Sequence, residues 1–552
     1  MSNTDAPNTG FAPQPFRTLA QQLEKTPPCQ AQCANSGDVR GWLGYIAQHE
    51  KIGLTLDEAY DKAWEKLVDR NPLPATIGRI CPHPCEDRCS RKDKDGSVSI
   101  NAMERFLGDW AIQRDLPLPM LQTEQMPESV GVVGSGPASI SFAYQMARRG
   151  YGVTVYEKHA LPGGMLRHAI PNYRLPSDVL DAEVKRVLGL CDAVINDVEV
   201  GRDVSLDELR ERHSLVFLGL GAQAARDLGI PGEVGTGVMS GIEYLWQRKQ
   251  GAESQGGKRI TVIGGGNTAI DAARMARRDG AEVTVLYRRS QQEMPAAADE
   301  IEDAIVEGVQ FKFLVAPTQV IREDTKIAQL EIQNMRLGEA DEQGRRRPLP
   351  IPGDVGYLPT DSVIVAVSQI PDWHGIECGG DERSWLRTQE DGKLQDDIWA
   401  GGDSRGPGIA SRAIAQGRKA AESAHAELRG EPLPESAMST EALQPSMVKP
   451  DYYAERQRHR LRRRPQQEWL SYPDREIDQT IDYEDARREA ERCMSCGLCF
   501  DCQQCFMFCN QGGFTRQEEL HPGRYFALAL DACEGCGKCI EICPCGYLEM
   551  RS

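Results

Sequence analysis

Long apolar runs are missing from this sequence: no stretch reaches the 18 uninterrupted apolar residues that a membrane-spanning helix needs. The opening residues, MSNTDAPNTGFAPQPF, also lack the basic and apolar regions of a secretory signal, so a soluble, cytoplasmic protein is expected. An excess of positive charge is missing as well. With 64 Lys and Arg against 82 Asp and Glu the net charge is -18, which argues against broad nucleic-acid binding. One local exception, the basic run Arg456 to Arg464 (RQRHRLRRR), reads as a solvated linker. What the chain does have is cysteine: 18 residues, clustered at spacings of two and three. In a cytosolic chain such close pairs favour bound metal over disulfides.

At 552 residues the chain is long for one core, and roughly 150 residues per domain suggests about three or four. Residues 1–121 mix helical patterns with two cysteine-bearing turns and read as a helical cluster-binding domain. From 129 to 430 short β-branched runs (VGVVG, VTVYE, LVFLGLG, ITVIGGG, VTVLY, SVIVAV) alternate with helical stretches. That alternation predicts a doubly wound α/β fold with two Rossmann-like nucleotide domains. The expected divisions are 129–255 and 391–430 for the first nucleotide domain and 256–390 for a second, inserted one. Residues 431–491 read as a linker and 492–552 as a cysteine-dense terminal domain.

The strand Val130–Val133 runs into Gly134-Ser135-Gly136-Pro137-Ala138, where small residues let backbone amides and a helix N-terminus approach a pyrophosphate. Glu157, at the end of the next strand and followed by Lys158, is placed to hold a ribose hydroxyl. Gly164, Met165 and Leu166 repeat the small-residue logic, and Gly221 ends a third strand. Gly402-Asp403 precedes a helix starting near Ile409 and Ala410, a segment that closes the FAD site in two-dinucleotide flavoproteins. FAD is therefore expected here.

A second fingerprint, Gly264-Gly265-Gly266-Asn267-Thr268, follows the strand Ile260–Ile263 and predicts an NAD(P)H site. Where NAD-specific sites carry an acid, Arg288 and Arg289 stand instead; paired guanidinium groups suit a 2'-phosphate. Acids at Asp299, Glu300, Glu302 and Asp303 could repel it, so the nucleotide is left as NAD(P)H. Hydride transfer between nicotinamide and flavin needs orientation more than a proton shuttle, and no acid-base catalyst is assigned.

In the tail, Cys533, Cys536, Cys539 and Cys543-Pro544 match the bacterial ferredoxin run in full, and Cys499, Cys502, Cys505 and Cys509 repeat its spacing. Zinc sites use isolated pairs rather than this paired run. The fourth cysteine of each run crosses over, so Cys543 joins Cys499, Cys502 and Cys505, and Cys509 joins Cys533, Cys536 and Cys539. Near the start, Cys29, Cys33, Cys81, Cys85 and Cys89 supply five thiols, too few for two all-cysteine clusters. Cys191, Cys378 and Cys545 fit no cluster spacing and read as apolar fillers.

PCQAQC, GRICPHPCEDRC, GSGPAS, LPGGML, GGGNTAID, YRR with EMP, and AGGD with AIAQGRKAA together resemble the bacterial glutamate synthase small subunit and the matching half of dihydropyrimidine dehydrogenase. The resemblance spans residues 16 to about 430. It implies an FAD iron-sulfur oxidoreductase with two N-terminal [4Fe-4S] clusters, one taking a noncysteine ligand, for which INAMERF offers Glu104. The family's R-C-x-x-C-G element is absent from the head, and Arg492-Cys493-Met494-Ser495-Cys496-Gly497 looks like that element moved to the tail. With Cys493, Cys496 and Glu104 the ligand count reaches the sixteen that four clusters need. Cys29 and Cys89 would then be completed by Cys493 and Cys496, within one chain or across an intertwined homodimer, unless these two are spare thiols. The appended ferredoxin-like part makes the layout similar to DsrL-type NAD(P)H:acceptor oxidoreductases associated with dissimilatory sulfite reductase. Electron-transfer subunits of glutamate synthase or of 2-oxoacid oxidoreductases, and a redox-sensing or assembly protein, are the alternatives.

Overall fold

A computed structural model describes residues 18–252, 257–340, 344–376, 384–433 and 441–551. Helices Val39–Ala47, Leu56–Val68, Pro74–Ile80 and Ile100–Gln113 form the N-terminal part around buried Trp42, Tyr60, Trp64 and Phe106. Thr55 and Glu58 start the second of these with a reciprocal capping box. Two glycines let the last two helices nearly touch: a Cβ on Gly78 would stand 2.3 Å from the Arg105 nitrogen, and one on Gly108 2.1 Å from that of Ala75. This close crossing fixes Cys81, just past Ile80, relative to Glu104 on the opposing helix.

The α/β region holds two parallel sheets. In the first, the strand order is Lys393–Gln395, Ile398–Ala400, Leu215–Leu218, Ser129–Val133, Gly152–Tyr156 and Ala193–Ile195. All neighbours are parallel except the first pair. The second has five parallel strands in the order Gln310–Phe313, Glu282–Tyr287, Arg259–Ile263, Ser362–Val365 and Val238–Ser240. Because Val238–Ser240 pairs with Ser362–Val365, the second sheet draws on residues before the expected boundary at 256. Val315–Glu323, Lys326–Ala340 and Arg346–Pro359 add an antiparallel three-stranded sheet that the doubly wound expectation does not contain.

In the tail, a hairpin of Phe514–His521 and Arg524–Leu528 joins the two four-cysteine runs. The final strand, Leu548–Arg551, pairs antiparallel with Leu19–Gln22, so the two ends of the described chain are hydrogen-bonded to each other.

Residues 441–491 are packed against the rest of the chain more closely than the composition of a linker suggests. Trp469 and Ile477 are buried against Tyr173, and Ile481, Ala486 and Ala490 join the N-terminal core. The arginines of the basic run find carboxylates on several different elements. Arg463 pairs with Asp303 at 2.6 Å and Asp478 at 3.0 Å, Arg458 with Glu86, and Arg456 with Glu491. The run is ion-paired although Arg456, Arg460, Arg462 and Arg463 remain exposed, and the segment is a strap across the nucleotide and cluster regions.

The strap ends on Arg492, which is fully buried. It donates to Glu489 at 2.6 Å, Asp95 at 2.9 Å and the Gly96 carbonyl at 2.6 Å. Burial pushes the Asp95 carboxyl up, but hydrogen bonds from Arg91, the Arg456 amide and Arg492 outweigh it and hold the group well below the ordinary aspartate value. A depressed carboxylate contributes stability that is present above its unfolded pKa, about 3.9, and is lost as pH falls through the lower folded value. Asp95→Asn is expected to cost about 3 to 5 kcal/mol at pH ~7, because Arg492 is left as a buried, underpaired charge. The deficit should narrow below about pH 4. Thermal unfolding of both proteins across that range checks it; a deficit independent of pH would assign the loss to packing instead.

Candidate functional site

The first glycine turn is shaped by backbone that only glycine adopts without strain. Gly134 has φ +81°, and a Cβ there would stand 2.6 Å from the Gly219 carbonyl. Next to it Gly136 has no heavy atom near its Cβ direction, and it caps helix Pro137–Ala147, so the helix N-terminus faces open space. Glu157 is buried beside this turn, accepting from the Ser135 amide at 2.9 Å, the Ser135 hydroxyl and the His159 amide at 2.9 Å. Gly417 brings helix Ala410–Arg429 onto Pro137–Ala147, since a Cβ there would stand 2.0 Å from the Ala138 carbonyl. Asp403 lies at the mouth of that helix. Burial raises its carboxyl, with the Gly408 amide opposing.

The second turn repeats the arrangement with Gly264 at φ +145°, Gly266 open, and helix Asn267–Arg278 beginning at the turn. One continuous cleft of about 1150 Å³ joins the two turns. Gly134, Ser135, Gly136, Pro137, Ala138, Glu157, Lys158, Gly164, Met165, Leu166, Gly221, Gly402, Asp403, Ile409 and Ala410 line it, as do Gly264, Gly265, Gly266, Asn267, Thr268, Arg288 and Arg289. The two arginines differ. Arg288 is exposed in the cleft wall, whereas Arg289 is buried and gives its Nε–H to the Arg346 carbonyl at 2.8 Å. The acids that threatened this site lie outside the cleft lining. Glu300 pairs with Arg174 and Arg274, and Asp303 with Arg274 and Arg463.

At its other end the cleft reaches Ile80 and Pro82, which flank Cys81. Cys33, Cys81, Cys85 and Glu104 line one small cavity together with Asn71 and Ser411. Burial pushes the Glu104 carboxyl up to about 7, against a 2.8 Å hydrogen bond from Asn71. Helix Ala410–Arg429 is the wall between the two spaces: Ala410 and Ala413 face the cleft, Ser411 and Ile414 the thiols. The Ser411 oxygen lies 3.8 Å from the Cys81 sulfur.

A second cavity is lined by Cys29, Cys89, Cys493 and Cys496, with Ser90 and Arg40. These four thiols meet within one chain, so no exchange between subunits is needed to assemble them. Burial and the neighbouring thiols push Cys29 well up, Cys493 to about 12 and Cys496 to about 11. Thiols so reluctant to ionise become thiolates beside a compensating cation.

In the tail, Cys505 interacts with Cys499, Cys502 and Cys543, and Cys539 with Cys533, Cys536 and Cys509, which is the crossed grouping. The two runs share one backbone shape. Asp501 and Gln503 in the first, and Gly535 and Gly537 in the second, occupy left-handed conformations at matching positions. Ser495 and Gly497 repeat it after Cys493. Among the described residues no three His, Cys, Asp or Glu side chains converge as ligands of a single ion would. A four-iron cluster places its ligands on different irons, so this donor set suits a cluster better than zinc.

Residues 128–417 match the pyridine nucleotide-disulphide oxidoreductase family, and residues 22–116 match the dihydropyrimidine dehydrogenase domain II, 4Fe-4S cluster. The chain belongs to this oxidoreductase family. The glutamate synthase [NADPH] small chain of Escherichia coli strain K12 is 32% identical over 72% of this chain and 87% of its own length. The NADP(+)-dependent formate dehydrogenase subunit beta of Moorella thermoacetica is 33% identical over 89% of this chain and 72% of its own. The NADPH-Fe(3+) oxidoreductase subunit beta of Geobacter sulfurreducens is 38% identical over 63% of this chain. The chain spans about half the length of that Geobacter relative. This oxidoreductase is thus an FAD and NAD(P) enzyme of the glutamate synthase small-subunit type with an N-terminal [4Fe-4S] domain.

Several residues of the oxidoreductase's sites gave no sequence signal. Arg345 lines the cleft from the antiparallel insertion, and Arg40, Asn71 and Ser411 surround the N-terminal thiols. None belongs to a motif, and each arrives through tertiary packing. Cys545 is buried with its sulfur 3.8 Å from that of Cys543, Cys191 packs at the edge of the core, and Cys378 lies outside the described residues. No helix among the described residues is long and apolar enough to cross a membrane.

Proposed function

We propose that the chain passes electrons between NADPH, FAD and four [4Fe-4S] clusters to or from a protein partner. The observation that carries this is the single cleft running from the second glycine turn to the wall beside Cys81. Bound FAD supplies the exchange of a two-electron hydride for single electrons. The chain's own residues bind and orient. The two helix N-termini would face the phosphates and Glu157 and Asp403 the sugar chain, with helix Ala410–Arg429 between the flavin space and Cys33, Cys81, Cys85 and Glu104. Cys29, Cys89, Cys493 and Cys496 form the next station, and the crossed tail groups the last two. The partner we propose is a dissimilatory sulfite reductase, supported by the DsrL-like layout of nucleotide region plus ferredoxin-like tail. Anaerobic addition of NADPH should bleach the flavin and then the clusters, and affinity isolation from native cells should recover the reductase. A flavin that NADPH leaves oxidised would overturn the reading.

A preference for NADPH over NADH is supported by Arg288 in the cleft wall, by the absence of the four acids from the cleft lining, and by the NADPH and NADP(+) names of the relatives above. Losing a charge-assisted contact to a phosphate costs on the order of 1.5 to 3 kcal/mol, about ten- to a hundredfold in affinity. Arg288→Ala should therefore shift the NADPH-to-NADH efficiency ratio by about that factor. Steady-state flavin reduction with both nucleotides checks it, and an unchanged ratio would remove Arg288 from the site.

A further inference from the structure

Arg40, in helix Val39–Ala47, is 2% exposed and lines the cavity of Cys29, Cys89, Cys493 and Cys496. Its terminal nitrogens are engaged: Nη1 donates to the Cys496 carbonyl, and Nη2 to Glu24 at 2.9 Å. Its Nε–H is not. That nitrogen is buried without a hydrogen-bond partner, and Asp38 Oδ1 stands 3.9 Å away, too far for one. A buried, unpaired donor on a charged group is destabilising and calls for an acceptor that belongs in the cavity. The guanidinium also interacts electrostatically with Cys29, Cys493 and Cys496.

The neighbouring cavity has its own arginine. There the carboxylate of Glu104 stands among Cys33, Cys81 and Cys85, and Arg70 on its lining gives Nη1 to the Ser36 carbonyl at 3.0 Å. An added electron makes a cluster more negative. A cationic donor beside it stabilises that reduced form.

We propose that Arg40 donates its Nε–H to a sulfur of the cluster held by Cys29, Cys89, Cys493 and Cys496, stabilising that cluster's reduced form. The inference rests on the reading of those four thiols as a cluster site, and Arg40 acts as a positioning and tuning residue rather than a ligand.

The test uses the full-length holoprotein as unsubstituted chain, Arg40→Lys and Arg40→Met, with iron per flavin and anaerobic redox titration followed by electron paramagnetic resonance. In the unsubstituted protein the titration sets the reference equilibrium between the all-cysteine N-terminal cluster and the Glu104-bearing one. Arg40→Met should keep its iron and shift the equilibrium between the two clusters by about ten- to a hundredfold toward the Glu104 site, the value of a lost charge-assisted hydrogen bond. Arg40→Lys, which keeps the charge but loses the planar fork, should shift it less. An unchanged equilibrium with iron retained would overturn the proposal. Loss of that cluster's iron from both variants would do so too, by making Arg40 scaffold. Absence of the cluster from the unsubstituted protein would instead overturn the reading of the site, and the proposal with it.

Discussion

Replacing Cys493 and Cys496 together with serine should remove about one cluster's worth of iron per flavin and leave the ferredoxin-like signals intact. The argument begins with placement. Both thiols line the cavity of Cys29 and Cys89, more than 400 residues away in sequence, and Cys496 also lies 3.4 Å from the Ser90 hydroxyl. Serine keeps the shape and removes the thiolate. With two of four ligands gone the site should stay empty, because a cluster's binding energy is shared among all its ligands. The fold should survive, since Arg492 anchors the strap through Glu489, Asp95 and backbone carbonyls rather than through the cysteines. Flavin reduction by NADPH should persist while transfer to the tail drops, because the proposed path runs through the missing station. Iron analysis and spectroscopy of the reduced protein decide it. Full iron content in the double variant would show that Cys493 and Cys496 are spare thiols.

Gly264→Ala should leave the flavin bound and cut its reduction by NADPH on the order of a hundredfold, the strain of a disallowed backbone, about 1 to 3 kcal/mol, adding to a steric clash. At φ +145° an alanine is strained, and its Cβ would stand 2.2 Å from the Ala366 carbonyl. Ala366 lines the cleft, and its amide donates to Ile263 at 2.8 Å, so relieving the clash pulls the turn away from the end of its own sheet. The first sheet is a separate hydrogen-bonded unit and should be undisturbed. Gly134→Ala is the mirror experiment: a Cβ 2.6 Å from the Gly219 carbonyl should expel flavin instead. Flavin per protein and rapid-mixing reduction separate the two outcomes. Loss of flavin from Gly264→Ala would mean that the second turn does not serve a second nucleotide.

Motifs whose chemistry is local were legible. A glycine turn between a β-branched strand and a helix is specified within about ten residues, because φ angles, small side chains and helix start are all near neighbours. The two turns fall where expected, and their residues line one cleft. The same holds for the four-cysteine runs, whose spacing repeats in matching left-handed backbone positions. The second sheet's edge was not legible. Val238–Ser240 is too short to show a pattern, and pairing with Ser362–Val365 makes it a strand. Nor was the strap: RQRHRLRRR is exposed in large part, but its carboxylate partners, Asp303, Glu86 and Glu491, come from elsewhere in the chain.

The sequence by itself determined which chemistry this protein carries, because nucleotide turns and cluster ligands are types of residue at short fixed spacings. Only the tertiary structure decided that Cys29, Cys89, Cys493 and Cys496 meet within one chain, that Arg289 serves the Arg346 carbonyl while Arg288 faces the cleft, and that Arg40 leaves one buried N–H beside four thiols. The physical reason is range. Backbone turns and spacing are settled among neighbours, whereas ligand sharing, ion pairing and burial depend on contacts between residues hundreds of positions apart, which local pattern does not encode.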